Sequence, residues 1–150
     1  MKNNDIPIRA YAPETDRHAL LRIWLEASLI AHSFIGEQRL RDQQALIEKR
    51  YLPTAESWVA CIGDTPAGFI SLLDTFVGGI FVAPQRQGLG IGRKLIAHAL
   101  SLKGELSLEV YTRNMRAMRF YASLGFEELS RRASDDEGLP FENALLRVTK

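Results

Sequence analysis

Residues 6–11 form a short apolar run that contains Pro7 and Arg9, and they read as a first strand. Pro13 and the polar cluster Glu14-Thr15-Asp16 then mark a helix start, with Thr15 or Asp16 placed to cap orphan N–H groups. Leu20, Ile23, Trp24 and Ala27 recur at helical spacing, so this helix is expected to run to about Ile30. Leu21, Leu25 and Leu29 widen its apolar face towards contacts on two sides. After a break over 31–36, a second helix rich in Arg, Gln and Glu is expected over 37–51, ended by Pro53. Residues 57–62 and 67–73 read as a hairpin around Gly63-Asp64, and 76–82 as a third apolar strand. Gly78-Gly79 interrupt that strand, where a bulge or a close backbone approach is expected. Ile91, Leu95, Ile96, Ala99 and Leu100 share one face of a helix closed by Gly104, and 105–111 alternates Leu106, Leu108 and Val110 as a strand. Asn114 opens a last helix with Ala117, Phe120, Tyr121 and Leu124 on one stripe, ended by Gly125. Closing strands are expected over 126–131 and 141–148, around the loop 133–140.

The order β-α-α-β-β-β-α-β-α-β-β places hairpins first and one strand–helix–strand unit over 76–111. This predicts an α/β chain of α+β character, with a mixed sheet and helices on its faces. No repeat, low-complexity tract or linker divides it, so 1–150 reads as one domain. Hydrophobic residues at 46% and charged residues at 25% exclude a disordered chain. Nineteen Lys+Arg against eighteen Asp+Glu give +1, so no whole-chain field holds nucleic acid or an anionic membrane. The single cysteine, Cys61, excludes an internal disulfide framework, and histidines at 18, 32 and 98 lack metal-ligand spacing, so no metal is expected. With no signal-peptide pattern and no apolar run near the ~20 residues of a membrane helix, a soluble cytoplasmic protein is expected.

The candidate chemistry lies in the segment Val82-Ala83-Pro84-Gln85-Arg86-Gln87-Gly88-Leu89-Gly90-Ile91-Gly92-Arg93, which joins a strand to an amphipathic helix. A helix start leaves four N–H groups unpartnered, and together with the helix dipole they favour an anion. Glycines at 88, 90 and 92 would let a phosphate approach the backbone, and Arg86 and Arg93 add charge at the rim, so the segment reads as a diphosphate site. The bland alternative is a tight strand-to-helix connection. A P-loop is excluded by the absence of Gly-x-x-x-x-Gly-Lys-Ser/Thr, and Gly-x-Gly-x-x-Gly fails because its third glycine falls on Arg93 or Leu95.

Gln87-x-x-Gly90-x-Gly92, preceded by Ile80-Phe81-Val82 and Pro84, resembles the acetyl-CoA loop of the GCN5-related N-acetyltransferases, the GNAT family. Asn114-x-x-Ala117-x-x-Phe120-Tyr121-x-x-x-Gly125-Phe126 resembles a second feature of that family, at the expected distance. More loosely, Trp24-Leu25-Glu26, His32-Ser33-Phe34-Ile35, Tyr51-Leu52-Pro53 and Ser57-Trp58-Val59 resemble a subgroup of small bacterial proteins that includes peptidyl-lysine acetyltransferases. The resemblance implies a central mixed, mostly antiparallel sheet of six to seven strands flanked by four helices. It also implies acetyl-CoA as donor and a primary amine as acceptor, a protein lysine or N-terminal amine before a small amine. A coenzyme-binding module without turnover is the rival from another class. The resemblance leaves monomer and homodimer both open.

By the same resemblance, the backbone of Ile80, Phe81 and Val82 would pair with the pantetheine arm by strand addition. Arg86, Gln87, Gly88, Leu89, Gly90, Ile91, Gly92 and Arg93 would surround the diphosphate. Asn114 reads both as an N-cap and as a contact to the pantetheine arm. Tyr121 lies on an apolar stripe, yet the family match makes it the general acid for the departing thiolate. An alkylamine near pKa ~10.4 must lose a proton, at a cost of roughly 4–5 kcal/mol at neutral pH. Candidates to take that proton are Glu109, whose face on its strand is open, Asp74 before the third apolar strand, and His32 in the loop between the first two helices. Asp135-Asp136-Glu137-Gly138 reads as a solvated loop or as an attractor of a cationic acceptor. Arg39, Arg41, Lys49 and Arg50 read as surface, and Cys61 as a packed thiol rather than a ping-pong nucleophile.

Overall fold

The computed structural model describes residues 6–150. Seven strands form one sheet in the order β1-β2-β3-β4-β5-β7-β6. The strands are β1 (Ile8–Ala10), β2 (Glu56–Ile62), β3 (Thr65–Leu73), β4 (Phe76–Val82), β5 (Glu105–Tyr111), β6 (Glu127–Arg132) and β7 (Asn143–Thr149). Helix α1 covers Pro13–Ala31, α3 covers Ile91–Lys103 and α4 covers Met115–Ser123. Helix α2 begins as Glu37–Leu46, continues through a π turn at Ile47–Tyr51 and ends at Leu52–Thr54. The element order follows the hydrophobic pattern, and the mixed, mostly antiparallel sheet with four helices matches the expected class.

Two apolar clusters lie on opposite faces of the sheet. Leu20, Ile23 and Trp24 of α1 and Leu40 of α2 pack with Val59, Cys61 and Phe69. Leu95, Ile96 and Ala99 of α3 and Tyr121 of α4 pack with Ile70, Leu106, Leu108, Val110 and Leu146. The alternation along β5 sends Leu106, Leu108 and Val110 into this second cluster. Glu109 therefore points to the α1–α2 side, which decides the face its sequence left open.

The start of α1 departs from expectation. The N-cap position is Ala12, not Thr15 or Asp16. Asp16 instead sits inside the first turn, where its carboxylate accepts the Ala12 N–H at 2.9 Å and both Arg9 guanidinium nitrogens at 2.6 and 2.8 Å. Helix α2 also runs past Tyr51 and through Pro53. In the π turn the Leu52 N–H bonds to the Ile47 carbonyl, five residues back. That wider turn gives room for a ring that can neither donate a hydrogen bond nor fit against an ordinary helical carbonyl.

The pairing within β4 sets up everything that follows. Ser71 faces Gly79 and Leu72 faces Val77, so Gly78 is an extra residue, the bulge its glycine pair predicts. A Cβ on Gly79 would lie 2.7 Å from the Phe81 ring, so a side chain there would force that ring to shift. On its other edge β4 runs parallel to β5 but pairs with it only at Phe76–Ser107, supported by Ser107 N–H to the Thr75 carbonyl at 3.0 Å. Beyond that point the two strands part. β5 stays fully paired to β7, from Glu105–Thr149 to Tyr111–Asn143.

Candidate active site

The parting of β4 and β5 opens a cavity of about 520 Å³. Its floor is the free edge of β4, including Gly78, Gly79, Ile80, Phe81 and Val82. Leu108, Glu109, Val110 and Tyr111 form the facing strand, and Asn114, Ala117 and Tyr121 come from α4 and its cap. Residues of α1, α2 and the β6–β7 loop close the remaining sides. A strand edge of this kind carries N–H and C=O groups that a peptide-like chain can complete.

At the C-terminal end of β4 the chain enters the glycine loop. Gln87 reaches the cavity, and its side-chain amide donates to the Val82 carbonyl at 3.3 Å. Gly88 and Gly90 hold φ of +86° and +81°, a left-handed backbone that suits glycine. Helix α3 has no side-chain cap, and the Lys94 N–H to the Gly90 carbonyl opens its hydrogen-bond ladder. The N–H groups of Ile91, Gly92 and Arg93 thus lack helical partners, with the exposed Arg86 and Arg93 beside them. These groups fit a diphosphate. Ile91 contributes its backbone alone, because its side chain is buried in the core. The bareness of Gly92 also serves helix packing: a Cβ there would lie 3.1 Å from Phe120 Cζ, on the α4 side.

Asn114 does two jobs at once. Its Oδ1 accepts the Ala117 N–H at 3.1 Å as an N-cap, and its Nδ2 lies 3.3 Å from His32 Nε2. That contact makes Nε2 the acceptor and leaves the ring proton on Nδ1. His32 packs edge-on against Phe34 and Tyr111, and burial pushes its pKa down to about 4. The imidazole is neutral across the physiological range and weak as a base.

Tyr121 is buried at the cavity wall, edge-on to Phe120 and Phe126. Desolvation alone raises its pKa, so the hydroxyl holds its proton and acts as a donor at neutral pH. Glu109 faces the cavity with both carboxylate oxygens held by Arg132, at 2.7 and 2.9 Å. Arg132 also reaches Asp136 at 2.6 Å. Asp74 stands apart. It is exposed in the β3–β4 turn with φ +57° and does not line the cavity, because the turn directs it away at the closed end of the strand pair. Cys61 is buried on the α1 face, where desolvation raises its thiol pKa, and it too is outside the cavity.

The acidic loop is built rather than merely solvated. Asp135 is buried and accepts the N–H groups of Glu137 and Leu139 and the Tyr111 hydroxyl, the last at 3.0 Å. Glu137 accepts from Gln43 of α2 at 3.2 Å and lies 3.7 Å from Arg39. Arg39, expected as plain surface, therefore helps tie the loop across the cavity. Sequence reasoning missed Arg132 and Tyr111. The one signal for Tyr111 is its parity with Glu109 on β5. Arg132 carries none, since its partner is 23 residues away on a strand that is not its neighbour in the sheet.

A family model described as Acetyltransferase (GNAT) domain matches residues 53–128. The chain is 34% identical over 123 residues to the peptidyl-lysine N-acetyltransferase YjaB of Escherichia coli, covering 81% of this chain and 83% of that protein. It is 33% identical over 130 residues to the peptidyl-lysine N-acetyltransferase YiaC of the same organism, covering 86% and 89%. The solution structure of apo-form YjaB superposes with a TM-score of 0.86 at 33% identity, covering 95% of this chain and 96% of that one.

Proposed function

The chain belongs to the GNAT family of acetyltransferases, which move an acetyl group from acetyl-CoA to an amine, and on that premise we propose that its acceptor is a lysine side chain in a polypeptide. The observation that carries the reading is the cavity between β4 and β5. It runs along the open edge of β4 from an acidic rim of Glu109, Asp136 and Glu137 to Gln87, the residue that leads into the glycine loop before the uncapped start of α3. The names of the YjaB and YiaC relatives support the same acceptor class.

In this reading the free N–H groups of Ile91, Gly92 and Arg93 hold the diphosphate, and the open edge of β4 pairs with the amides of the pantetheine arm. Main-chain N–H of β4 near Val82 polarises the thioester carbonyl. The amine nitrogen attacks the carbonyl carbon directly, the C–S bond breaks, and the thiolate takes the Tyr121 proton. The attacking nitrogen gives its proton to Glu109. Of the three candidate bases, Glu109 is the carboxylate that lines the cavity. His32 lines it too, but its Nε2 lone pair accepts from Asn114, and Asp74 lies elsewhere. Orientation of donor and acceptor in one enclosed space supplies much of the acceleration.

Among the described residues no helix is long and apolar enough to cross a membrane. A cytoplasmic site of action belongs to the proposal, supported by the free, buried Cys61, which suits a reducing compartment. A small amine as acceptor is the second reading, favoured by the Glu137–Gln43 and Glu137–Arg39 contacts that narrow the mouth. Product mass spectrometry after incubation with acetyl-CoA, lysine peptides and small amines separates the two. Acetyl-lysine in the peptides is the expected result; acetylation confined to small amines would overturn the polypeptide acceptor.

A further inference from the structure

The cavity mouth is not uniform. One side carries Glu109, Asp136 and Glu137, with Arg132 held between the first two. Elsewhere its lining is apolar, and there lie Leu46 at 41%, Tyr51 at 55% and Leu73 at 45% exposure, together with Phe76. Exposed side chains of this size on a cavity wall are a local departure from a polar surface. Leu46 and Tyr51 are held out by the irregular end of α2, where the π turn changes the helical register. Leu73 ends β3 beside the bulge: its Cδ1 is 3.9 Å from where a Gly78 Cβ would stand. The apolar shelf thus adjoins the open edge of β4.

A cationic amine is served by the acidic side alone and leaves the shelf wet. We propose that the preferred acceptor is a lysine with a large apolar residue as its immediate neighbour in the polypeptide, that neighbour seated on Leu46, Tyr51, Leu73 and Phe76. The proposal rests on the polypeptide-lysine reading above and specifies it. Charge complementarity fixes which end of the segment enters: the ammonium goes to the acidic side. Adjacent Cα atoms are ~3.8 Å apart, so the neighbouring side chain is delivered to the mouth of the same cavity. A half-exposed apolar shelf gains by being covered, and the gain is realised only when the bound segment supplies an apolar group.

The test uses the full chain, acetyl-CoA and short blocked peptides with one lysine, flanked on either side by Phe, Gly, Asp or Arg. Phe on at least one side is expected to raise kcat/KM about tenfold over Gly, equal to about 1.4 kcal/mol, and Asp is expected to be worst. Tyr51→Ser and Leu73→Ser are each expected to shrink the Phe-to-Gly ratio. Leu73→Glu is expected to move the preference towards Arg-flanked peptides, a gain that loss of folding cannot imitate. Equal rates for Phe- and Gly-flanked lysine would overturn this proposal and leave the lysine acceptor standing. A Phe preference unchanged in all three variants would also overturn it, by removing the shelf as its origin. No lysine peptide acetylated, with small amines acetylated, would remove the acceptor reading and this proposal with it.

Discussion

Replacing Tyr121 by Phe separates chemistry from stability, because the two are expected to move independently. The ring lies in the core between Phe120 and Phe126, so Phe keeps its volume and its edge contacts. Tyr121 lines the cavity, and desolvation is the sole cause of its raised pKa, with no side-chain partner contributing. Deleting it breaks no hydrogen bond to another described side chain. Stability should change by no more than about 1 kcal/mol, a Tm shift of about 2–4 °C for a chain of this size. The rate should fall much further. A positioned general acid contributes about 10²–10⁴-fold, or about 2.7–5.4 kcal/mol of barrier. The assay is coenzyme A release under saturating acetyl-CoA and acceptor, with donor affinity by calorimetry and a thermal melt alongside. A kcat within about threefold of the parent, with the melt unchanged, would refute the acid assignment, because the same structure would then expel the thiolate without that proton. Weakened donor binding together with an unchanged kcat would instead make Tyr121 a wall of the site.

Glu109→Gln should flatten the acidic limb of the pH–rate profile and lower kcat, and a profile of unchanged shape clears Glu109 of the base role. Asp16→Asn removes the charge from a carboxylate at 1% exposure that holds the half-exposed Arg9 and the Ala12 N–H, and should cost about 2 kcal/mol in denaturant unfolding at pH 7. Arg9 and Ala12 hold the Asp16 pKa below its ordinary value, so this stabilisation is complete above ~4 and is lost as pH falls through the folded value; equal acid sensitivity of parent and variant would contradict it. His32 has the opposite chemistry and the same sign. It is neutral in the fold down to about 4 but protonates near 6.5 when unfolded, so the parent should gain up to about 3 kcal/mol as pH rises from 4 to 6.5. His32→Gln should be flat over that window, and a parent that is itself flat would disprove the burial argument.

Where the sequence carried period and punctuation, it carried the fold. The Phe76–Val82 and Glu105–Tyr111 strands were legible because apolar alternation and flanking Gly, Asp or Thr residues specify their ends locally. The Gly78 bulge was legible because two glycines inside an apolar strand have few other uses. The start of α1 at Pro13 was legible too, but its capping was not, because Asp16 acts from inside the turn with help from Arg9, seven residues upstream on a strand. The end of α2 was not, because a π turn leaves no mark in the spacing of side chains. The left-handed turns of the glycine loop could be read from its glycines, whereas the close approach of Phe120 to Gly92 could not. The acidic side of the cavity was least legible. Glu109–Arg132, Tyr111–Asp135 and Gln43–Glu137 each join elements far apart in the chain, at separations of 23, 24 and 94 residues.

The opening itself follows from how the sheet is held together. A parallel pair left unzipped forgoes several main-chain hydrogen bonds, which buried strands rarely tolerate. Here the two strands need not hold each other. β4 is fixed by β3 along its length, β5 is fixed by β7 at seven positions, and each face has its own apolar cluster. The crossover helix α3 packs against both strands and keeps them in one body while their edges stay apart. The Gly78 bulge adds local twist on the strand that bends away. It follows that closing the gap should be harmful while filling it should help. A ligand with amides along its length restores the missing hydrogen bonds, so coenzyme A should protect the β4 amides of residues 79–82 from hydrogen exchange more than those of β2. Equal protection of both strands would show general stabilisation by binding and not completion of an open edge.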